Sequence, residues 1–288
     1  MIQSKRAKFY STYISGQNFA LPGTIMYYIR MNPKTAALYQ KLIKSCKYFF
    51  VKNSILIVKG LFHYSDDEWF VDRKPFDLSK LECKLWITDE LVVTPKTSVK
   101  AGNQSILSSL MPKLYRCDAK YLHLYDQVIT FRDLSLLISS ADDISFYDAT
   151  IKNENGSNVA LEKVIEIAVK AKSIVISSNN VLTNITSKTF TELLKIPHFR
   201  QIDYCCIEDI PDIFDIEAFY TYMKKNKTTK FNLGFVRSIS DAYKARLEEI
   251  VDEILATEVF NYKPPLFDFL GLYLGKYMQL LRCSKKFV

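Results

Sequence analysis

The sequence predicts an α/β fold: an irregular solenoid of parallel strands with helices on one face, preceded by a small all-α unit. Three observations predict it. A short strand followed by an amphipathic helix returns five times, with strand cores Leu122-His123-Leu124, Ile144-Ser145-Phe146, Ile174-Val175-Ile176, Ile202-Asp203-Tyr204 and Phe231-Asn232-Leu233. Successive cores begin 22, 30, 28 and 29 residues apart, the spacing of stacked strand–helix repeats. Most of these strands alternate apolar and polar residues, which implies one face under helices and one open to water. A doubly wound sheet, buried on both faces, has nearly all-apolar strands instead. Each crossover exceeds a dozen residues, so neighbouring strands pair in parallel. The combination points to a leucine-rich-repeat-like stack.

The elements follow in chain order. Residues 1–20 read as a basic arm without fixed structure. Residues 21–58 read as a helical unit: Leu38, Leu42, Ile43, Cys46, Phe49 and Phe50 share one helical face, with Lys41, Lys44, Lys47 and Lys52 around it. Pro33 suits the first turn of a helix or the turn before it. Residues 59–258 form the predicted stack. Within it, Leu81–Ile87 alternates as a strand does, while 65–72 and 94–104 read as loops.

From residue 106 the pattern is regular. Thr130-Phe131-Arg132-Asp133 has capping-box spacing and opens a helix, whose apolar face is Phe131, Leu134, Leu137 and Ile138. Leu161, Val164, Ile165 and Ala168 serve the next helix. Phe190, Leu193 and Leu194 serve the one after, and Ile216, Phe219, Tyr220 and Met223 the fourth. Pro112 and Pro197 stop two helices and return the chain toward its strands. A last helix is predicted over about 240–257, and 259–288 reads as a tail.

Composition narrows the function classes. The chain of 288 residues is 48% hydrophobic and 24% charged, a globular balance, and its eight glycines leave little for a phosphate-cradling loop. The N-terminus has no apolar signal core, and the longest apolar run, 266–281, is interrupted by Asp268 and Lys276. The expectation is a cytoplasmic or nuclear protein with no membrane partner. The six cysteines lack metal-ligand spacing and read as small core hydrophobes. A net charge of +8 suits an acidic partner surface without demanding nucleic acid, which is disfavoured as a partner. The basic run 224–230 falls at a helix C-terminus, where the dipole favours cations.

The chemistry of enzymes is not legible. His63, His123 and His198 stand apart from any ligand-spaced partner, and no nucleophile, base and orienting group come together. No catalytic residue, metal site or cofactor is expected. The acidic cluster Glu208, Asp209, Asp212, Asp215 and Glu217 is better read as helix capping than as cation ligands, with Asp215 before Ile216 and Glu217 in the first turn. The predicted open face carries the candidate partner-binding residues: Tyr121, His123, Tyr125, Asp143, Ser145, Tyr147, Asp203 and Asn232. Tyrosines in such a row are favoured at binding hot spots.

Residues 21–51 resemble an F-box. The segment opens Leu21-Pro22, continues with Ile25, Ile29, Leu38 and Leu42, and closes Ser45-Cys46-Lys47-Tyr48-Phe49. The resemblance implies that Leu21, Pro22, Ile25, Ile29, Leu38 and Leu42 face the adaptor subunit of an SCF-type ubiquitin ligase, with its cullin beyond. Gly23-Thr24 stands where such segments usually carry an acidic residue. Residues 20–270 as a whole resemble a nematode-expanded set of F-box-like proteins with divergent repeats, through 193–199, 210–215, 219–226, 238–247 and Tyr262-Lys263-Pro264-Pro265. The resemblance implies a substrate receptor holding a target protein on its open strands. The alternatives are a repeat scaffold with a degenerate F-box and no ligase role, or a basic nucleic-acid-binding protein.

Overall fold

The computed structural model describes residues 5–13, 18–64, 68–94, 106–177 and 185–286. The strands are β1 (Ile55–His63), β2 (Trp69–Val71), β3 (Lys74–Phe76), β4 (Lys84–Val93), β5 (Leu114–Cys117), β6 (Tyr121–Tyr125), β7 (Val128–Thr130), β8 (Asp143–Tyr147), β9 (Thr150–Lys152), β10 (Ser173–Ser177), β11 (Tyr204–Ile210), β12 (Lys230–Phe235) and β13 (Leu266–Asp268). Among the described residues eleven of these form one sheet in the order β13-β12-β11-β10-β8-β6-β4-β1-β2-β3, with β5 also beside β4. Pairing is parallel from β13 through to β1, and antiparallel only where β2 and β3 fold back on β1. The protein is therefore a mixed α/β fold on a largely parallel sheet.

Register explains why the repeat was visible. Leu91, Leu122, Ile144, Ile174, Cys205 and Phe231 stand side by side across six strands, and Leu124, Phe146, Ile176, Ile207, Leu233 and Phe267 form the next row. All are buried. Side chains alternate along a strand, so both rows point to one face. Helices α5 (Leu107–Leu110), α6 (Phe131–Ile138), α7 (Leu161–Ile167), α8 (Thr189–Leu193), α9 (Ile216–Met223) and α10 (Asp241–Leu255) lay their apolar faces in this same core. The capping expectations hold: Thr130 Oγ1 accepts from Asp133 N at 3.0 Å, and Asp215 Oδ1 from Ala218 N at 2.9 Å. Pro112 and Pro197 sit in short 3₁₀ turns that end α5 and follow α8.

Several boundaries differ from the sequence expectation. Residues 55–58 belong to β1, not to the helical unit. Ile55-Leu56-Ile57-Val58 is a continuous apolar run, which periodicity cannot divide between helix and buried strand. Here the strand is covered on both sides, with Leu56 and Val58 in the main core and Ile55 and Ile57 in a second cluster. Residues 69–71 form β2 rather than loop, and the loop expected over 94–104 lies, apart from Thr94, outside the described residues. The strand expected at 81–87 runs from Lys84 to Val93. The stretch 259–288 is not a tail: Phe267 is wholly buried in β13, and α11 (Leu274–Lys286) packs Leu280 into the core beside α10. Within the supposed N-terminal arm, α1 (Lys5–Ser11) sets Phe9 against Phe50, ring centroids 5.6 Å apart.

The helical unit comprises α2 (Gly23–Met31), α3 (Ala36–Ser45) and α4 (Lys47–Lys52). The continuous helical face expected from Leu38 to Phe50 is broken at Cys46, whose backbone is extended and whose sulfur accepts from Tyr48 N at 3.4 Å. Tyr39 takes the innermost place and Leu38 is exposed. Tyr39, Ile55 and Trp86 form the second cluster, with Ala36, Ile43, Ile57 and Tyr115 around it. Trp86 lies between Leu85 and Ile87, both in the main core, so it faces the opposite side of the sheet. The helical unit thus covers the second face at the start of β1 and β4. The expectation that helices cover one face alone fails there; from β6 to β12 the side opposite the core is partly accessible, with Ser145 and Cys206 buried within it.

Candidate partner-binding faces

From β6 to β12 the side chains opposite the core rows form the open face. Tyr121, Asp143, Ser173, Tyr204 and Lys230 stand in one register row, and His123, Ser145, Val175, Cys206 and Asn232 in the next. A third row pairs Tyr125 with Tyr147, whose rings stack with centroids 4.8 Å apart and planes at 8°. His123 Nε2 lies 3.1 Å from Asp143 Oδ1. The phenol of Tyr204 is pushed up to about 12, by burial first and then by the neighbouring Cys206 thiol. It stays neutral, with the Asn232 and Cys206 side chains as its hydrogen-bonding neighbours.

Six of the eight expected residues are accessible on this face: Tyr121 is exposed, and His123, Tyr125, Asp143, Tyr147 and Asn232 are half-buried. Two are corrected. Ser145 points to the open side but is 6% exposed; its small side chain sits between His123 and Val175 in a row flanked by tyrosines. Asp203 is exposed at a bend before β11, not on the strand. The turn Pro197–Gln201 delivers Ile202 to the core before the strand begins, so Ile202 and Cys205 are both inward and the pleat starts one residue late. That shift brings Tyr204, Cys206 and Glu208 to the open face, where Tyr204 had been expected inward. The run Tyr204-Cys205-Cys206-Ile207-Glu208 carries a readable cue, because Cys205 and Ile207 alternate as inward residues do.

The second candidate face is on the helical unit. Leu21, Pro22, Ile25 and Leu38 are exposed, and Ile29 and Leu42 are half-buried. Tyr27, Tyr28 and Met31 add further exposed apolar surface. Along α2, Ile25 and Tyr28 share one helical face, and exposed apolar surface of this kind is a feature of interaction sites. The unit is fixed to the sheet through β5: Tyr115 Oη donates to Met31 O at 3.2 Å and Arg116 Nη1 to Lys34 O at 3.3 Å. Sequence reading had no cue for this clasp, because the partners lie more than 80 residues apart.

Other chemistry is accounted for structurally. His63 Nδ1 is 3.0 Å from Thr94 O, and His198 Nε2 is 2.7 Å from Ile165 O. Burial pushes the Cys117 thiol up to about 11 and raises that of Cys205 further, so both are poor nucleophiles. Asp212 Oδ2 accepts from Ser240 N at 3.2 Å, and Glu217 pairs with Arg246. Among the described residues no group of three or more His, Cys, Asp or Glu side chains is placed to hold a metal ion, and no helix is long and apolar enough to cross a membrane. No protein-family model matches the chain, and neither a curated protein sequence nor a solved structure matches it.

Proposed function

We propose that this protein is a non-enzymatic recognition subunit of an SCF-type ubiquitin ligase, with an F-box-like helical unit for the adaptor and an irregular leucine-rich-repeat-like solenoid for the target. One observation carries the reading: a helical unit with exposed apolar side chains, Leu21, Ile25 and Leu38 among them, is joined by hydrogen bonds to a sheet whose other strands present a partly accessible, tyrosine-rich face. A receptor needs two such surfaces held in fixed relation. The strand order, which follows the chain from β6 to β13 with the two-stranded β7–β9 ladder set aside, supports the solenoid.

The test is co-purification of the full chain with adaptor and cullin under gentle conditions. The adaptor is expected to be retained, and Leu21→Asp or Leu38→Asp to release it without unfolding, since both side chains are already exposed. Failure of the wild-type chain to retain the adaptor would leave the second reading, a protein-binding scaffold with a degenerate box. Gly23-Thr24 at the start of α2, in place of an acidic residue, favours that second reading.

A further inference from the structure

The open face has the opposite electrical sign to the chain as a whole. The sequence carries +8, yet on the described strands β6 to β13 the acidic Asp143, Glu208 and Asp268 of this face meet Lys230 and His123 as its basic side chains; the further basic residues on this side, Lys84 and Arg116, lie at β4 and β5 by the helical unit. The two edges of the sheet also differ. Along the amino edge Lys120, Asp142, Lys172 and Asp203 succeed one another through backbone hydrogen bonds, an alternation of signs. Along the carboxyl edge the residues just past the stacked tyrosines, Asp126 and Asp148, are both acidic.

The carboxyl-end row runs from the Tyr125–Tyr147 stack through Ser177 to Glu208, Gly234 and Asp268. Glu208 lies against Gly234, where an added Cβ would meet Glu208 Cγ at 3.3 Å. The glycine therefore makes room for the Glu208 side chain, and Glu208, Gly234 and Asp268 all line a cleft of about 550 Å³ that Arg237 also borders. Burial first, and then the neighbouring Tyr125, Cys206, Glu208 and Asp143, raise the Tyr147 phenol, which stays neutral beside the carboxylates. Arginine and lysine bind both ring faces and carboxylates. Parallel neighbours stand about 4.8 Å apart, so the row is roughly 24 Å long, the reach of an extended chain of about seven residues.

We propose that the carboxyl end of the open strand face docks a basic, extended segment of a protein partner, its arginine or lysine side chains stacking on Tyr125 and Tyr147 and entering the cleft that Glu208 and Asp268 line. The proposal rests on the open face being the partner-binding surface. It also sets the partner's sign against the expectation drawn from net charge, and a nucleic acid would be repelled here.

The test selects a random dodecapeptide phage library on the immobilised full chain, then measures the selected peptides by fluorescence anisotropy. The expected peptides are enriched in arginine or lysine. They lose affinity by about tenfold or more on the doubly substituted Glu208→Gln, Asp268→Asn chain, and weaken when salt is raised from about 50 to about 500 mM. Both carboxylates are solvent-facing, and thermal unfolding verifies that the variant stays folded. Peptides without basic enrichment that are lost on Tyr125→Ser with Tyr147→Ser overturn the charge assignment and leave the open-face reading standing. Basic peptides indifferent to the carboxylate variant place their site elsewhere and also overturn it. Selection of no peptide sensitive to either variant overturns both.

Discussion

Trp86 Nε1 donates to Asp118 Oδ2 at 2.7 Å, and the other oxygen of the same carboxylate accepts from Arg116 Nε at 2.7 Å. The Arg116 guanidinium in turn lies 5.1 Å from the Trp86 ring centroid. One carboxylate thus orders both the indole under the helical unit and the arginine that holds Lys34 O. Asp118→Ala is expected to leave the buried indole N–H without a partner, at a cost of about 1–3 kcal/mol. Asp118→Asn, which keeps an acceptor, should cost less. Urea unfolding followed by tryptophan fluorescence checks the order of the two; equal stability of Asp118→Ala and wild type would deny the clasp its role.

Leu122 and Ile202 are wholly buried in the main core. Replacing either with Asp removes apolar burial of about 1.5–3 kcal/mol and adds an unpaired buried charge. Both variants should lack a cooperative thermal transition by circular dichroism. Because Ile202 lies outside the pleat, its variant also tests whether the 3₁₀ turn before β11 belongs to the same core.

Among the described residues four aspartates have positive φ: Asp72 in the β2–β3 turn at 51°, and Asp126, Asp148 and Asp209 at the carboxyl end of the sheet at 47°, 50° and 58°. Asp126 N and Asp148 N donate to Tyr147 O and Ser177 O on the next strand, so the left-handed residue follows the same position in successive repeats. Asn and Asp tolerate this conformation and β-branched residues do not. Asp126→Asn should be nearly neutral, whereas Asp126→Val should lower stability by about 1–2 kcal/mol. A comparison of urea midpoints decides it; a neutral valine would mean the turn relaxes at no cost.

Burial pushes the Tyr39 phenol up to about 12, against about 10 for an unfolded tyrosine. A folded value above the unfolded one means the neutral form is the one the fold stabilises. That contribution, about 2 to 3 kcal/mol, is complete below pH 10 and is lost as pH rises toward 12. The neutral hydroxyl donates to Asn53 O and accepts from Ile55 N. Stability measured from pH 9 to 12 should fall less steeply in Tyr39→Phe, which lacks the ionising group but also lacks both hydrogen bonds and so starts lower.

The strand–helix repeat from Leu122 to Leu233, the helix caps at Thr130 and Asp215, and the alternation that leaves tyrosines on one face were all legible locally. Each is set by residues within one turn or one pleat of each other, where period and hydrogen-bonding chemistry suffice. The phase of β11 was not, because a 3₁₀ turn inserts Ile202 into the core without a strand period to announce it. The apolar run 55–58 was equally silent, since burial on two faces erases the alternation that distinguishes a strand. The C-terminal β13 and α11 carry short or mixed patterns that acquire meaning only against β12 and α10.

What the sequence by itself determined was the local alphabet: which segments pleat, which coil, and which faces are apolar. What only the tertiary structure decided was coverage and charge placement. Trp86, Tyr39 and Tyr115 meet across long stretches of chain to seat the helical unit on the second face of the sheet. Glu208 and Asp268 come to flank Gly234 on neighbouring parallel strands. Both depend on long-range register, fixed by packing of the common core rather than by any neighbouring residues in the chain, so no local pattern could announce them.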